Sequence, residues 1–215
     1  MTDAPSDRAG HSRRRTMFGR LAGGLVGGLA GLLSMPALAA AEHEWPGAVA
    51  GRHRLLVDGY AASPEPLMFA HTFLATNQPA GSARVVLVLR AKALPIALDS
   101  AIWAKYRIGQ SFGIIDPETR APAVKNPLLR PRHGVLPNDA AAIDRLLAAG
   151  VIVGACGVAL HGQSKALAAN AGVSAEDAAR EWAASLVPGV TLLPSGVWGV
   201  GRAQESGCGY CSGGD

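Results

Sequence analysis

The chain has 215 residues and a formal charge of +4, but five of its twenty Lys and Arg and two of its sixteen Asp and Glu fall in residues 1–39. The fifteen basic and fourteen acidic residues that remain carry +1, a balance that does not call for nucleic acid or an anionic membrane as partner. The stretch from residue 40 onward, about 176 residues, is the size of one domain with one core.

Residues 1–39 are expected to be an address. Arg13, Arg14 and Arg15 precede Thr16, Met17 and Phe18, a Gly/Ala/Leu run spans 21–33, and Ala37-Leu38-Ala39 offers a small-x-small cleavage site. Together these have the form of a twin-arginine export signal, with the mature chain beginning near Ala40. The destination is then the periplasm, an oxidising compartment in which cysteines are candidates for disulfide or redox work.

Along the mature chain, residues 53–59 (HRLLVDG) read as a first strand closed by Asp58-Gly59. Pro64 and Pro66 open a helix reaching to about Asn77, with Leu67, Phe69, Ala70, Phe73 and Leu74 on one face. Residues 83–90 (ARVVLVLR) form the clearest strand; a near-continuous aliphatic run has both faces covered, as in a parallel sheet. Residues 95–107 are expected to be a second helix, apolar at Ile96, Leu98, Ile102 and Trp103. Prolines 117, 122, 127, 131 and 137 then break any period over 109–137, which reads as a long irregular insertion, functional or a partner surface. Asn138 is placed to cap a helix over 139–149, and Gly150 leads into a strand over 151–155. Helices over 159–170 and 175–186, a strand over 190–193 and a last helical segment over 197–205 complete the pattern. Strands alternating with helices predict a three-layer α/β fold with a mostly parallel sheet of four or five strands and helices on both faces.

The strand exit at Cys156 is the first candidate for chemistry. In a parallel α/β sheet the crevice lies at the carboxyl ends of the strands, and a helix amino terminus there favours a thiolate. The same position also suits a small buried thiol at the end of a core strand. Cys208 and Cys211 form a C-x-x-C pair in a Gly-rich tail over 207–215, able to make a disulfide, a dithiol relay or half of a metal site. Three cysteines is an odd number: pairing in the tail leaves Cys156 free, and a tail folded over the strand exits brings all three together. With His161, five residues past Cys156, the set Cys156, His161, Cys208 and Cys211 has chemistry suited to zinc or copper. Asp58 points toward the same crevice as a base or as ordinary turn chemistry, and His71, Trp103, Tyr106 and Trp198 read as packing. The chain contains no phosphate loop, G-x-S-x-G or H-E-x-x-H motif.

Residues 53–206 resemble the DsrE/DsrF-like family of small α/β sulfur-relay proteins. The likeness rests on residues 55–59, residues 85–89, the strand ending in Cys156, and the turn Leu193-Pro194-Ser195-Gly196 before a last helix. It is greatest to exported members that carry a twin-arginine signal and end in a C-x-x-C tail. The resemblance implies a persulfide on Cys156, a sulfur donor or acceptor protein or small thiol as partner, no cofactor, and a homotrimer or hexamer. This chain departs from typical members, which are shorter and cytoplasmic, by its export signal, its 109–137 insertion and its tail cysteines. Two functions are therefore expected in competition. One is a periplasmic thiol protein that binds or relays sulfane sulfur on Cys156, with Cys208 and Cys211 as a releasing pair. The other is a non-catalytic binding or assembly module whose tail cysteines hold a disulfide or a metal ion.

Overall fold

The computed structural model describes residues 45–77 and 79–214. The expected export signal over 1–39 lies outside the described residues. Five strands form one all-parallel sheet: β1 (His53–Gly59), β2 (Ala83–Leu89), β3 (Ile152–Cys156), β4 (Val190–Leu193) and β5 (Gly209–Ser212), in the order β4-β3-β2-β1-β5. β2 sits at the centre because Val85 through Leu89 present an aliphatic side chain to both faces, and all five are fully buried. At about 1.5–3 kcal/mol for each side chain so buried, this strand is the anchor of the core.

The helices are α1 (Glu65–Thr76), α2 (Ile108–Phe112), α3 (Ile143–Ala148), α4 (Gly157–Ala171), α5 (Ala175–Ala184) and α6 (Gly196–Glu205). Leu67 and Ala70 of α1, Ile143 and Leu146 of α3, Leu160 and Ala168 of α4 and Trp182 of α5 share one core with Val57, Leu87, Val153 and Ala155. On the opposite face Leu56, Val86, Val88 and Leu193 meet Ala203 of α6, with Trp45 and Val49 from the lead segment. The expected three-layer parallel α/β architecture is thus the one observed.

Two stretches depart from expectation. Residues 95–107 do not form a continuous helix: the chain runs as 3-10 turns over Ala91–Ala97 and Ser100–Ile102 and then reverses at Arg107, whose φ is 50°. Pro95 within the first turn removes a donor that an α-helix needs, so the tighter i to i+3 pattern prevails, with the Leu98 N–H donating to the Pro95 carbonyl at 3.1 Å. The 109–137 segment, expected to be a long irregular insertion, functional or a partner surface, is in part a lid on the core. Ala123, Leu128, Leu129 and Leu136 are buried, and Ile115 and Pro122 make an antiparallel bridge. Asn126 holds it in place: its buried amide donates to the Ile96 and Leu98 carbonyls (2.9 and 2.8 Å), and its Oδ1 accepts the Leu128 N–H at 3.0 Å.

Candidate functional site

Cys156 is both the last residue of β3 and the N-cap of the 15-residue helix α4. Its Sγ accepts the Ala159 N–H at 3.3 Å, in the place a serine or aspartate oxygen takes at an ordinary cap. The amino end of the helix thus faces the sulfur, an environment that favours negative charge. Small residues around it are required by close approach. A Cβ on Gly157 would stand 2.5 Å from the Leu193 carbonyl oxygen, and one on Gly154 would stand 2.5 Å from Leu193 Cδ1 and 2.8 Å from the Trp45 ring. The sequence left two readings open for this thiol, a reactive group in the crevice or a small buried one; Cys156 is only 7% exposed.

Next to it the exit of β2 carries Arg90. The register pairs Leu89 with Ala155, so Arg90 stands one rung on, beside Cys156. Its Nε and Nη2 donate to the two oxygens of Asp58 at 2.6 and 2.8 Å, and its guanidinium lies 4.9 Å from the centre of the Tyr60 ring. The Asp58 carboxylate holds the Arg90 pKa above its ordinary value, chiefly through this hydrogen bond. Asp58 is 3% exposed and also accepts the Tyr210 hydroxyl at 3.1 Å. Burial first, and then that hydrogen bond, push the Tyr210 hydroxyl up. Asp58 does face the crevice, as the sequence indicated, but three donors occupy it, and its role here is to hold Arg90 rather than to serve as a free base.

Backbone contacts fix the Arg90 corner. The Arg90 N–H donates to the Gly59 carbonyl at 2.9 Å, and the Ala93 N–H to the Tyr60 carbonyl at 3.0 Å. Ala91 turns the chain at φ 46°, and its carbonyl accepts the Gln163 Nε2 of α4 at 2.6 Å. On the other side Gly196, at the start of α6, admits the arginine stem: a Cβ there would lie 2.6 Å from Arg90 Cβ. The carboxyl edge of the sheet therefore sets Tyr60, Arg90 and Cys156 at three adjacent strand exits, with Gly196 packed against the Arg90 stem. Exposed Val158 and Val197, in the first turns of α4 and α6, flank that row.

The tail does not fold over this edge. It forms β5, paired in parallel with β1 from Leu55↔Gly209 to Asp58↔Ser212. Two strands separate β5 from β3, so Cys211 stands about 14 Å away across the sheet and several rungs below Cys156. Cys208 is lower still, buried with Leu56, Val86 and Ala203; burial pushes its thiol up, partly offset by Arg54. All three cysteines are free thiols. Of the two arrangements left open for the tail, the one that brings Cys156, Cys208 and Cys211 together is not the one observed, and His161 lies exposed on α4. Among the described residues no group of three or more His, Cys, Asp and Glu is assembled to hold a metal ion.

Among known proteins, no family model and no curated protein matches the chain. Among solved structures it is similar to MTH1491 of Methanobacterium thermoautotrophicum, described as a protein of unknown function. The two share 14% identity and a TM-score of 0.41, over 74% of this chain and 98% of that one.

Of the residues that build the site, Cys156 and Asp58 were legible in the sequence, whereas Arg90, Tyr60 and Tyr210 were not. The available signal for Arg90 was a charged residue at the exit of the most apolar strand, where the crevice of a parallel sheet begins. The remaining candidates behave as packing. Trp103 and Tyr106 are buried, Trp198 lies 6.2 Å from Trp45 between ring centres, and the His71 ring meets the Asn138 amide at 2.8 Å. Two surface depressions, of about 490 and 320 Å³, are lined by other residues and include neither Cys156 nor Arg90.

Proposed function

We propose that this chain is an exported DsrE-like thiol protein that carries sulfane sulfur on Cys156, acting as a sulfur carrier or sulfurtransferase in the periplasm. The observation that carries the reading is the position of Cys156 Sγ: at a strand exit, accepting a backbone N–H at the amino end of α4. The fold class, shared with the family the sequence resembles, supports the same reading.

The chemistry is an exchange without net oxidation. The Cys156 thiolate attacks the outer sulfur of a donor persulfide or polysulfide, an S–S bond forms to Cys156 as the donor's S–S bond breaks, and the donor leaves as a thiolate. An acceptor thiolate then takes the outer sulfur and restores the Cys156 thiolate. Arg90 supplies a positive charge at the neighbouring strand exit, and Asp58 holds its guanidinium in place. Since β1 and β2 separate Cys208 and Cys211 from Cys156, release runs to an external thiol rather than to the tail of the same chain. The partner is accordingly a sulfur donor or acceptor protein or a small thiol, and assembly as a homotrimer or hexamer goes with the family reading.

The test is loading with polysulfide followed by intact mass. The native chain should gain sulfur that a mild reductant removes, and Cys156→Ala, folded as judged by circular dichroism, should gain none at that position. Sulfur that peptide mapping of the loaded native chain finds only on Cys208 or Cys211, with Cys156 unmodified, overturns the assignment.

A further inference from the structure

The C-x-x-C pair closes the chain on a strand, which is an unusual place for two thiols three residues apart. With Gly209 and Tyr210 extended between them, the Cα atoms of Cys208 and Cys211 stand roughly 10 Å apart. A disulfide requires a separation of about 4.4–6.8 Å. The two side chains also leave opposite faces of the sheet. Cys208 lies in the cluster under α6, with Leu56 and Ala203, while Cys211 is level with Val57, which belongs to the core on the other face. The strand and the disulfide are therefore mutually exclusive.

We propose that β5 is a redox-controlled edge strand: closing the Cys208–Cys211 disulfide withdraws residues 208–211 from β1 and uncovers the Asp58–Arg90 pair. Bringing the two sulfurs together requires residues 209 and 210 to form a turn, for which Gly207, Gly209 and Gly213 supply the freedom. That turn gives up the Leu55↔Gly209 and Leu56↔Tyr210 pairings. It also removes the Tyr210 hydroxyl from Asp58, which in the docked strand is shielded to 3% exposure. What remains, the Val57↔Cys211 and Asp58↔Ser212 pairings and the Gly213 N–H donating to the Asp58 carbonyl at 2.9 Å, is too short to hold a strand alone. The β1 edge, including fully buried Leu56 and Val57, becomes open to solvent or to another strand.

The oxidant is a disulfide, small or protein-borne. Cys211, half-buried at the sheet edge, is the thiol it can reach, whereas Cys208 is covered. The Cys211 thiolate attacks one sulfur of the oxidant, forming a mixed disulfide and expelling one thiolate. As the strand leaves, the Cys208 thiolate attacks Cys211 Sγ, closes the internal disulfide and expels the second thiolate. Two protons pass to solvent and the two electrons reduce the oxidant. In the docked state burial pushes the Cys208 thiol up, so the second step waits for the strand to come off. None of this requires Cys156 to carry sulfur.

Hydrogen exchange on the full-length chain, with oxidised glutathione as the disulfide, tests the switch. The expected result is an internal Cys208–Cys211 disulfide, two hydrogens lighter, whose amides over 209–213 exchange about 100-fold faster or more while those of β2 and β3 are unchanged. Cys156→Ser should behave identically, which separates this result from the sulfur-carrier reading. In Cys208→Ala the oxidant should stop at a glutathione adduct on Cys211 and β5 should keep its protection. An internal disulfide with β5 still protected, an adduct that never resolves in the native chain, or loss of β5 protection in Cys208→Ala overturns the proposal.

Discussion

Asp58→Asn would leave the Arg90 guanidinium, which lies over the Tyr60 ring, without its charge partner. Removing one member of a buried pair costs about 3–5 kcal/mol, and because the Arg90 side chain is 27% exposed a loss of about 2–3 kcal/mol is expected. The urea midpoint of the variant measures it. A second residue-scale prediction concerns His133, whose Nδ1 meets the Asp139 carboxylate. The Asp139 hydrogen bond raises the His133 pKa, and the His133 hydrogen bond lowers that of Asp139. The His133 contribution is complete below the ordinary histidine pKa and is lost as pH rises through the raised value. The Asp139 contribution is present above the ordinary carboxylate pKa and is lost as pH falls through the lowered one. An NMR titration should therefore place His133 above the ordinary histidine midpoint, and Asp139→Asn should return it there. At this scale the sequence was informative about Cys156 because its place depends on local pattern alone, an apolar run followed by small residues and a helix. It was silent on Arg90 and Tyr210 because their meaning depends on Asp58, 32 and 152 residues away.

Among the elements, β1 to β4 were legible because parallel strands read as short aliphatic runs, and their observed limits fall within a residue or so of those read from the sequence. The tail was not legible as β5: Gly209, Tyr210, Cys211 and Ser212 have little strand character and become a strand only by lying along β1. That the irregular 109–137 segment also covers the core was not legible for a related reason. Its prolines rule out regular structure, but irregular backbone can still be buried when its polar groups are paired, and Asn126 does that pairing. Asn126→Ala should thus leave two carbonyls and the Leu128 N–H unpaired in the interior. A loss of about 2–4 kcal/mol is expected, seen as a lowered thermal midpoint. An unchanged midpoint would mean that the segment is held by its apolar side chains alone.

For the molecule as a whole, the strand order decides which chemistry is available. Placing β5 beyond β1 puts the tail cysteines at one edge of the sheet and leaves two strands between β5 and the strand of Cys156, with Arg90 rather than a second thiol at the next strand exit. The order could not be read from the sequence, since it depends on where the tail finds an unpaired edge. The proposed function stands on Cys156 being the residue that carries sulfur. The direct measurement is a peptide map of the native chain, isolated from its own compartment without reductant and alkylated at once. The peptide containing Cys156 should carry additional sulfur, removed by mild reduction, while the peptide containing Cys208 and Cys211 should carry none. An unmodified Cys156 that also resists loading by polysulfide would contradict that function, and would make this thiol a cap of α4 and nothing more.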